Sequence, residues 1–259
     1  MKTPGLTSWV VSANEGASHT NALIDDLRIY QALSDANGKW GGYDQFLKVY
    51  ETKLLSYGLS GNDYIDFYDA DTSEKSNRLT LCYADFLAME SLKSVSAEFN
   101  EPYENAMKIV NEGYISNDFP LYYSWYSYDQ RKYAEDDLNM AEEMVTLLYL
   151  AEIDRLPDQT LSWLKKKMAN GGIKARYTIK GKVVAGYNYD STAVYALVAM
   201  LADEIGDIEL RGNALKRMEL MRINDTSLSY NGGFGIEDGS GITSFDQVMP
   251  VLAYQYAEN

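Results

Sequence analysis

The sequence predicts an all-α chain of the (α/α)6 toroid type, with about nine helices and one small β-hairpin. Three observations predict it. Apolar residues recur at the 3.6-residue helical period in nine segments. Those segments are similar in length and are joined alternately by short and long loops. Strand-like alternation is confined to residues 176–179 and 183–187, which flank Lys180-Gly181-Lys182 and read as a hairpin. A complete six-hairpin toroid needs twelve helices, so nine make an incomplete one. No Pro/Gly/Ser-rich linker interrupts the chain, and the expectation is one domain over residues 1–259.

The expected helices cover residues 18–34, 41–57, 78–95, 100–115, 138–153, 158–170, 190–205, 208–223 and 244–257. In the first, Thr20 or Asn21 can cap the free N–H groups. Leu23, Leu27, Tyr30 and Ser34 form its apolar stripe, and Ile29 and Leu33 widen it. Asp25 and Asp26 point about 100° apart, so at most one faces a central cleft. Acids near a helix N-terminus also simply favour the dipole. Loops are expected at Asn37-Gly38, Ser60-Gly61-Asn62-Asp63, Asn117-Asp118-Phe119-Pro120, Asn170-Gly171-Gly172 and Gly232-Gly233.

A net charge of −15 and a pI near 4.5 argue against nucleic acid as a partner, since phosphates need a basic footprint. An anionic membrane is disfavoured for the same reason. A neutral polymer such as a polysaccharide or oligosaccharide fits better. The 22 tyrosines, 7 phenylalanines and 4 tryptophans suit it, because aromatic faces pack against sugar C–H faces. Packing inside the protein also uses such residues. Cys82 is the only cysteine and reads as a buried thiol in an apolar helix. With His19 the only histidine, a multi-histidine zinc site is excluded and a serine–histidine triad is disfavoured. His19 reads as a helix-start residue or a sugar contact. No apolar run reaches the roughly 18 residues of a membrane span. Met1-Lys2-Thr3-Pro4-Gly5 does not read as a signal peptide, because no apolar region follows.

Tyr122, Tyr123, Trp125, Tyr126 and Tyr128 form the densest aromatic cluster. It reads either as a sugar-stacking platform or as a packed loop. Trp40, Trp125 and Phe234 could floor sugar subsites. Asp66 and Asp69, in Tyr64-Ile65-Asp66-Phe67-Tyr68-Asp69, either line a cleft or fold their loop. Asp190 follows Tyr187-Asn188-Tyr189 at a helix start and is either functional or an N-cap. Asp136 and Asp137 have the same two readings. Arg28 is expected to be a structural ion-pair partner.

The run Asn21-Ala22-Leu23-Ile24-Asp25-Asp26-Leu27-Arg28-Ile29-Tyr30-Gln31-Ala32-Leu33 resembles the helix-opening Asp motif of glycoside hydrolase family 8 and its relatives, notably family 126. Asp66-Phe67-Tyr68-Asp69 and Leu79-Thr80-Leu81-Cys82-Tyr83-Ala84-Asp85 are similar to the next helix and its entry loop. Asn139-Met140-Ala141-Glu142-Glu143 through Leu150-Ala151-Glu152 resembles a later helix. Tyr189-Asp190-Ser191-Thr192-Ala193-Val194-Tyr195-Ala196-Leu197 is similar to the family 8 Tyr-Asp-Ala segment, and Ser244-Phe245-Asp246 opens the last helix similarly. Each motif is weak alone; their order spans roughly residues 8 to 257.

The resemblance implies a glycoside hydrolase cleaving a polysaccharide with inversion, and no metal or organic cofactor. One carboxyl group protonates the leaving oxygen, and another activates water on the opposite face. It implies that Asp26, with Asp25 beside it, supports charge at the sugar next to the scissile bond. Asp190 would be the base. Asp66, Asp69, Tyr122, Trp125, Tyr126 and Tyr189, read from their acidic and aromatic patterning, are the candidate substrate-binding residues beside them. The Asp26 helix would be about the fourth of the toroid, which leaves three helices lacking on the N-terminal side, where the acid belongs. Asn14-Glu15-Gly16 looks like the acid motif, yet it lies only 11 residues before Asp26. Glu15 is therefore either that acid or a solvated loop residue. If the acid is absent, the alternative is a catalytically incomplete carbohydrate-binding or scaffold protein. A toroid lacking helices would expose an apolar face suited to self-association. Family 126 implies an α-glucan and family 8 a β-1,4-glycan, and relatives of both act outside the cell or at its surface.

Overall fold

In the computed structural model, residues 5–235 and 243–256 are described. The first four residues, part of the leader reading, lie outside them, as does position 257 of the ninth expected helix. The described residues include nine α-helices and several very short strands, and they divide into two compact units.

The first unit comprises residues 1–114 and 122–134. It opens with a hairpin, β1 (Val11–Ser12) against β2 (Gly16–Ala17), and continues into α1 (Leu23–Trp40) and α2 (Asp44–Lys53). α1 buries Leu23, Asp26, Leu27 and Tyr30, which is the expected stripe with a carboxyl group inside it. Its start differs from expectation. Ala22 is the N-cap and makes no side-chain cap bond. Asn21 is drawn away instead: its Oδ1 accepts from the Tyr68 N–H at 2.7 Å, and its Nδ2 donates to Asp26 at 2.7 Å. The expected break at Asn37-Gly38 is also displaced. The helix runs on to Trp40 and stops at Gly41, whose φ of 69° favours glycine. Asn37 then ties the turn, accepting from the Tyr43 N–H and donating to Asp44.

Short pairs follow: β3 (Leu59–Ser60) with β4 (Asp63–Tyr64), and β5 (Tyr68–Asp69) with β6 (Glu74–Lys75). Residues 78–85, expected as helix, are not helical. They form β7 (Arg78–Thr80) and a tight turn, Leu81–Tyr83, that holds the buried Cys82. The helix α3 starts at Phe86 (Phe86–Val95), because Asp85 accepts from the Ala88 N–H and caps it there. α4 (Asn100–Glu112) lies nearby in sequence and buries Pro102, Ala106, Ile109 and Val110. β7 pairs with β8 (Trp125–Ser127), which pairs with β9 (Lys132–Tyr133), making a three-stranded antiparallel sheet.

The second unit comprises residues 115–121 and 135–259. β10 (Leu138–Asn139) leads into α5 (Met140–Glu152), capped by Asn139 through the Ala141 N–H; Asp136 and Asp137 are not the cap. α6 (Asp158–Ala169) follows. The expected hairpin closes through Thr178 N–H to Lys182 C=O and Val184 N–H to Arg176 C=O. Its first arm, β11 (Arg176–Tyr177), takes β10 as its ladder partner. α7 (Thr192–Glu204) is buried on all sides from Thr192 to Ala202, as its nearly unbroken apolar run dictates. It packs against α5, α8 (Ile208–Glu219) and α9 (Ser244–Tyr256). Phe245, Val248 and Val251 remain exposed along α9.

Candidate active site

In the first unit, a cavity of about 500 Å³ is lined by Trp9, Phe67 and Tyr83, the carboxylates of Asp66, Asp69 and Glu74, and Arg78. Thr20, Asn21 and Ala22 close it beside the start of α1. Aromatic faces and planar polar groups on one concave wall are the chemistry that holds a polyol.

Asp26 stands behind that wall. Its side chain is fully buried. One oxygen accepts from the Thr7 N–H at 2.8 Å and the other from the Asn21 amide at 2.7 Å. Thr7 is braced in turn by Tyr50, hydroxyl to hydroxyl at 2.8 Å. Burial pushes the Asp26 carboxyl up to about 6; the Thr7 and Asn21 hydrogen bonds oppose this, and the charge of Asp25 adds to it. Asp25, on the more open side of the helix, is also raised by burial, with Arg28 opposing. Burial also raises the Asp85 carboxyl, with the Ala88 N–H bond and then the Arg28 charge opposing it. Of the two adjacent acids, only Asp26 lies on the buried stripe.

Asp66 and Asp69 both reach the cavity wall, and both also fold their loop. The buried Asp66 accepts from the Thr80 N–H and hydroxyl, each at 2.6 Å, and from Arg78 Nε at 2.9 Å. Burial still outweighs these bonds and raises its pKa. Asp69 accepts from the Thr20 hydroxyl at 2.7 Å and from the Asp71 and Thr72 N–H groups at 2.9 Å. These bonds, the Thr20 one first, hold its carboxyl down to about 2. His19 pairs with Asp71 at 2.6 Å, ahead of α1 and not within it.

The aromatic cluster is divided by strand parity. Successive residues of β8 point to opposite faces of the sheet. Trp125 lies under the Arg78 guanidinium, 5.2 Å from its ring centre, on the cavity side. Tyr126 turns the other way, with ring centres 5.0 Å from Tyr133 and 5.7 Å from Tyr128. Tyr122 is buried edge-on against Tyr114. The five aromatics therefore do not form one platform: Tyr122 is packing, and Trp125 and Tyr126 serve different faces. Trp40 is exposed at the end of α1, whereas Phe234 is buried in the second unit beneath Arg222. Glu15 sits exposed at the β1–β2 turn, and its N–H donates to Ser12.

In the second unit, Asp190 does not cap α7. Ser191 does, accepting from the Val194 N–H. Asp190 instead accepts from Lys174 Nζ at 2.8 Å and from the Tyr195 hydroxyl at 2.7 Å. The Tyr195 hydroxyl also accepts from the Ile173 N–H at 3.2 Å. Gly172 permits this approach: its φ is 81°, and a Cβ there would stand 2.1 Å from that hydroxyl. Asp246 links α9 to the same corner, accepting from the Ser191 hydroxyl and the Ala193 N–H at 3.0 Å. Tyr189 is exposed beside Tyr187, ring centres 6.1 Å apart.

Sequence reading missed Trp9, Tyr83, Glu74 and Arg78 at the cavity, Thr7 on Asp26, and Lys174 and Tyr195 on Asp190. Lys174 lies 16 residues from Asp190, and no local pattern announces such a pair. Among the described residues, no group of three or more His, Cys, Asp or Glu could hold a metal ion, and no helix is long and apolar enough to cross a membrane.

No family profile matches the chain. YdaJ of Bacillus subtilis (strain 168), provisionally named a lipoprotein, is 30% identical over 253 residues, which span 96% of this chain and 68% of YdaJ. A solved structure described as a novel α-amylase from Clostridium perfringens has a TM-score of 0.89 at 29% identity, covering 98% of this chain and 78% of that one. Endoglucanase Cel10 of Klebsiella pneumoniae, a family 8 glycosyl hydrolase, has a TM-score of 0.64 at 15% identity, covering 99% and 80%. The second likeness shows the fold alone, which is the toroid class expected from the sequence. Several structural neighbours are glycoside hydrolases, and the chain belongs to the protein family of YdaJ, on the fold of the family 8-like glycoside hydrolases.

Proposed function

We propose that this chain is a glycoside hydrolase that cleaves a neutral polysaccharide with inversion. The observation that carries this reading is the buried Asp26, one hydrogen bond behind the wall of an aromatic- and carboxylate-lined cavity. Oxocarbenium-like charge develops on the sugar during cleavage. A carboxylate in a low-dielectric wall supports such charge without contact and without water to screen it. With a pKa near 6, Asp26 is mostly ionised at neutral pH. Asp25 adds to the same field, and Trp9, Trp125 and Tyr83 offer sugar-packing surfaces.

Asp190 is proposed as the base. Lys174 and Tyr195 hold its carboxylate in one orientation, which suits a group that must aim a water molecule. Tyr189 is proposed as a sugar contact beside it. Glu15 is the proposed acid, and its exposed turn requires the substrate to enclose it. An α-glucan substrate is favoured, because the α-amylase neighbour shares 29% identity, about twice that of the endoglucanase. A cell-surface or extracellular location is proposed, supported by the name given to YdaJ.

The alternative is a carbohydrate-binding protein without turnover. The exposed position of Glu15, whose carboxylate has no hydrogen-bond or ion-pair partner among the described residues, favours it. Incubating the purified chain with soluble starch, a mixed-linkage β-glucan and xylan separates the two. Release of inverted-anomer ends supports hydrolysis, retention without release supports binding alone, and neither result removes both readings.

A further inference from the structure

We propose that the recess between α4 and the β8–β9 turn is a second glycan site, for a neutral sugar, on the opposite face of the β7–β8–β9 sheet from the cavity beside Asp26. The recess has a volume of about 310 Å³, at the lower end of small-ligand pockets. Tyr126 and Tyr128 form its aromatic wall. Asp63 and Glu112 supply acceptors, and Lys108 and Arg131 supply donors, while the Asn105 amide already donates to the Asn62 carbonyl and to Asp63 and so braces the wall.

Two acids face two bases, so the recess is locally neutral inside a chain of net charge −15. An anion would meet the repulsive field of the whole chain. A polyol uses donors and acceptors alike and packs its C–H face on tyrosine. Two groups remain free for it. Arg131 has no hydrogen-bond or ion-pair partner among the described residues, although acids outnumber bases 38 to 23. The Tyr126 hydroxyl likewise makes no hydrogen bond to a described residue.

The backbone points the same way. Arg131 has a φ of 51°, in the left-handed region that favours glycine or asparagine. Glycine would relieve that conformation, so a purely structural turn would favour it. Parity fixes the separation of the two sites: Arg78, Thr80 and Trp125 share one sheet face, and Leu79, Tyr126 and Tyr133 share the other.

The test is retention in gels containing soluble starch, mixed-linkage β-glucan or xylan, comparing the parent chain with Arg131→Gly and Glu112→Ala. Both changes lie on the surface, and Arg131→Gly relieves its backbone. We expect about ten-fold weaker retention from each, the size of one lost polar or aromatic contact, with no loss of thermal stability. The same factor should appear when each is combined with Trp9→Ala, which acts on the other face. Parent-like retention by both single variants overturns the proposal, as does a parent chain held by none of the three polysaccharides. Release of sugar ends tests hydrolysis separately, so retention that depends on Arg131 without release would sink hydrolysis and leave this site standing.

Discussion

Asp26 and Asp190 are two carboxyl groups handled in opposite ways. Asp26 is fully buried and meets only neutral donors, the Thr7 N–H and the Asn21 amide. Asp190 is partly open, and a lysine compensates its charge at 2.8 Å. Neutral donors leave most of the desolvation cost in place, so the Asp26 pKa rises to about 6. The lesson is that hydrogen bonds alone orient a buried carboxyl group without making it a comfortable anion.

The sharpest way to break the comparison is Asp26→Asn. If the buried charge supports the sugar, turnover on a cleaved polysaccharide should fall about 100- to 1,000-fold with the fold intact; parent-like rates would remove Asp26 from the mechanism. The same variant probes linkage. The native state holds the Asp26 proton more tightly than the unfolded chain, whose carboxyl titrates near 3.8. Its contribution to stability is therefore full below about 3.8 and is lost as pH rises through about 6. The amount is roughly 3 kcal/mol. Denaturant melts of the parent and of Asp26→Asn at pH 4 and pH 7 should differ in pH dependence by that amount, and equal dependence would place the titration elsewhere. Asp69 acts in the opposite sense: it favours the fold above about pH 4 and loses that effect as pH falls towards 2.

On the Asp190 side, Gly172→Ala should cost roughly 2–4 kcal/mol, because the new methyl group collides with the Tyr195 hydroxyl at a positive φ. Unchanged unfolding would mean that the corner relaxes freely. Lys174→Met is milder, about 1 kcal/mol or less, since the pair is partly solvated. Its sharper readout is turnover: if Asp190 is the base, losing the lysine that orients it should lower kcat about ten-fold with the fold intact. Smallest of all, Trp125→Ala removes the Arg78 stack and should weaken polysaccharide retention about two- to five-fold. No change would leave Trp125 a packing residue.

Much of the secondary structure was legible, because periodicity is local. The apolar stripe of α1 declared its burial in advance. The misreadings occur where a distant group captured a side chain. Asn21 looked like a cap until the Tyr68 N–H, 47 residues away, claimed its oxygen. Residues 78–85 looked helical, yet their extended part found a partner strand in β8. The aromatic cluster looked like one surface, and the two faces of a strand split it.

By itself, the sequence determined that the chain is mainly helical and acidic, that it can field neither a zinc–histidine cluster nor a disulfide within the chain, and that Asp25 and Asp26 diverge on their helix. Composition and 3.6-residue periodicity settle such properties without knowledge of what lies nearby. Only the tertiary structure decided which of those acids would be buried, that Asn21 and Thr7 would hold it, and that Lys174 would compensate Asp190. Solvation and hydrogen bonding depend on neighbours that are close in space and distant along the chain, and no local pattern encodes them.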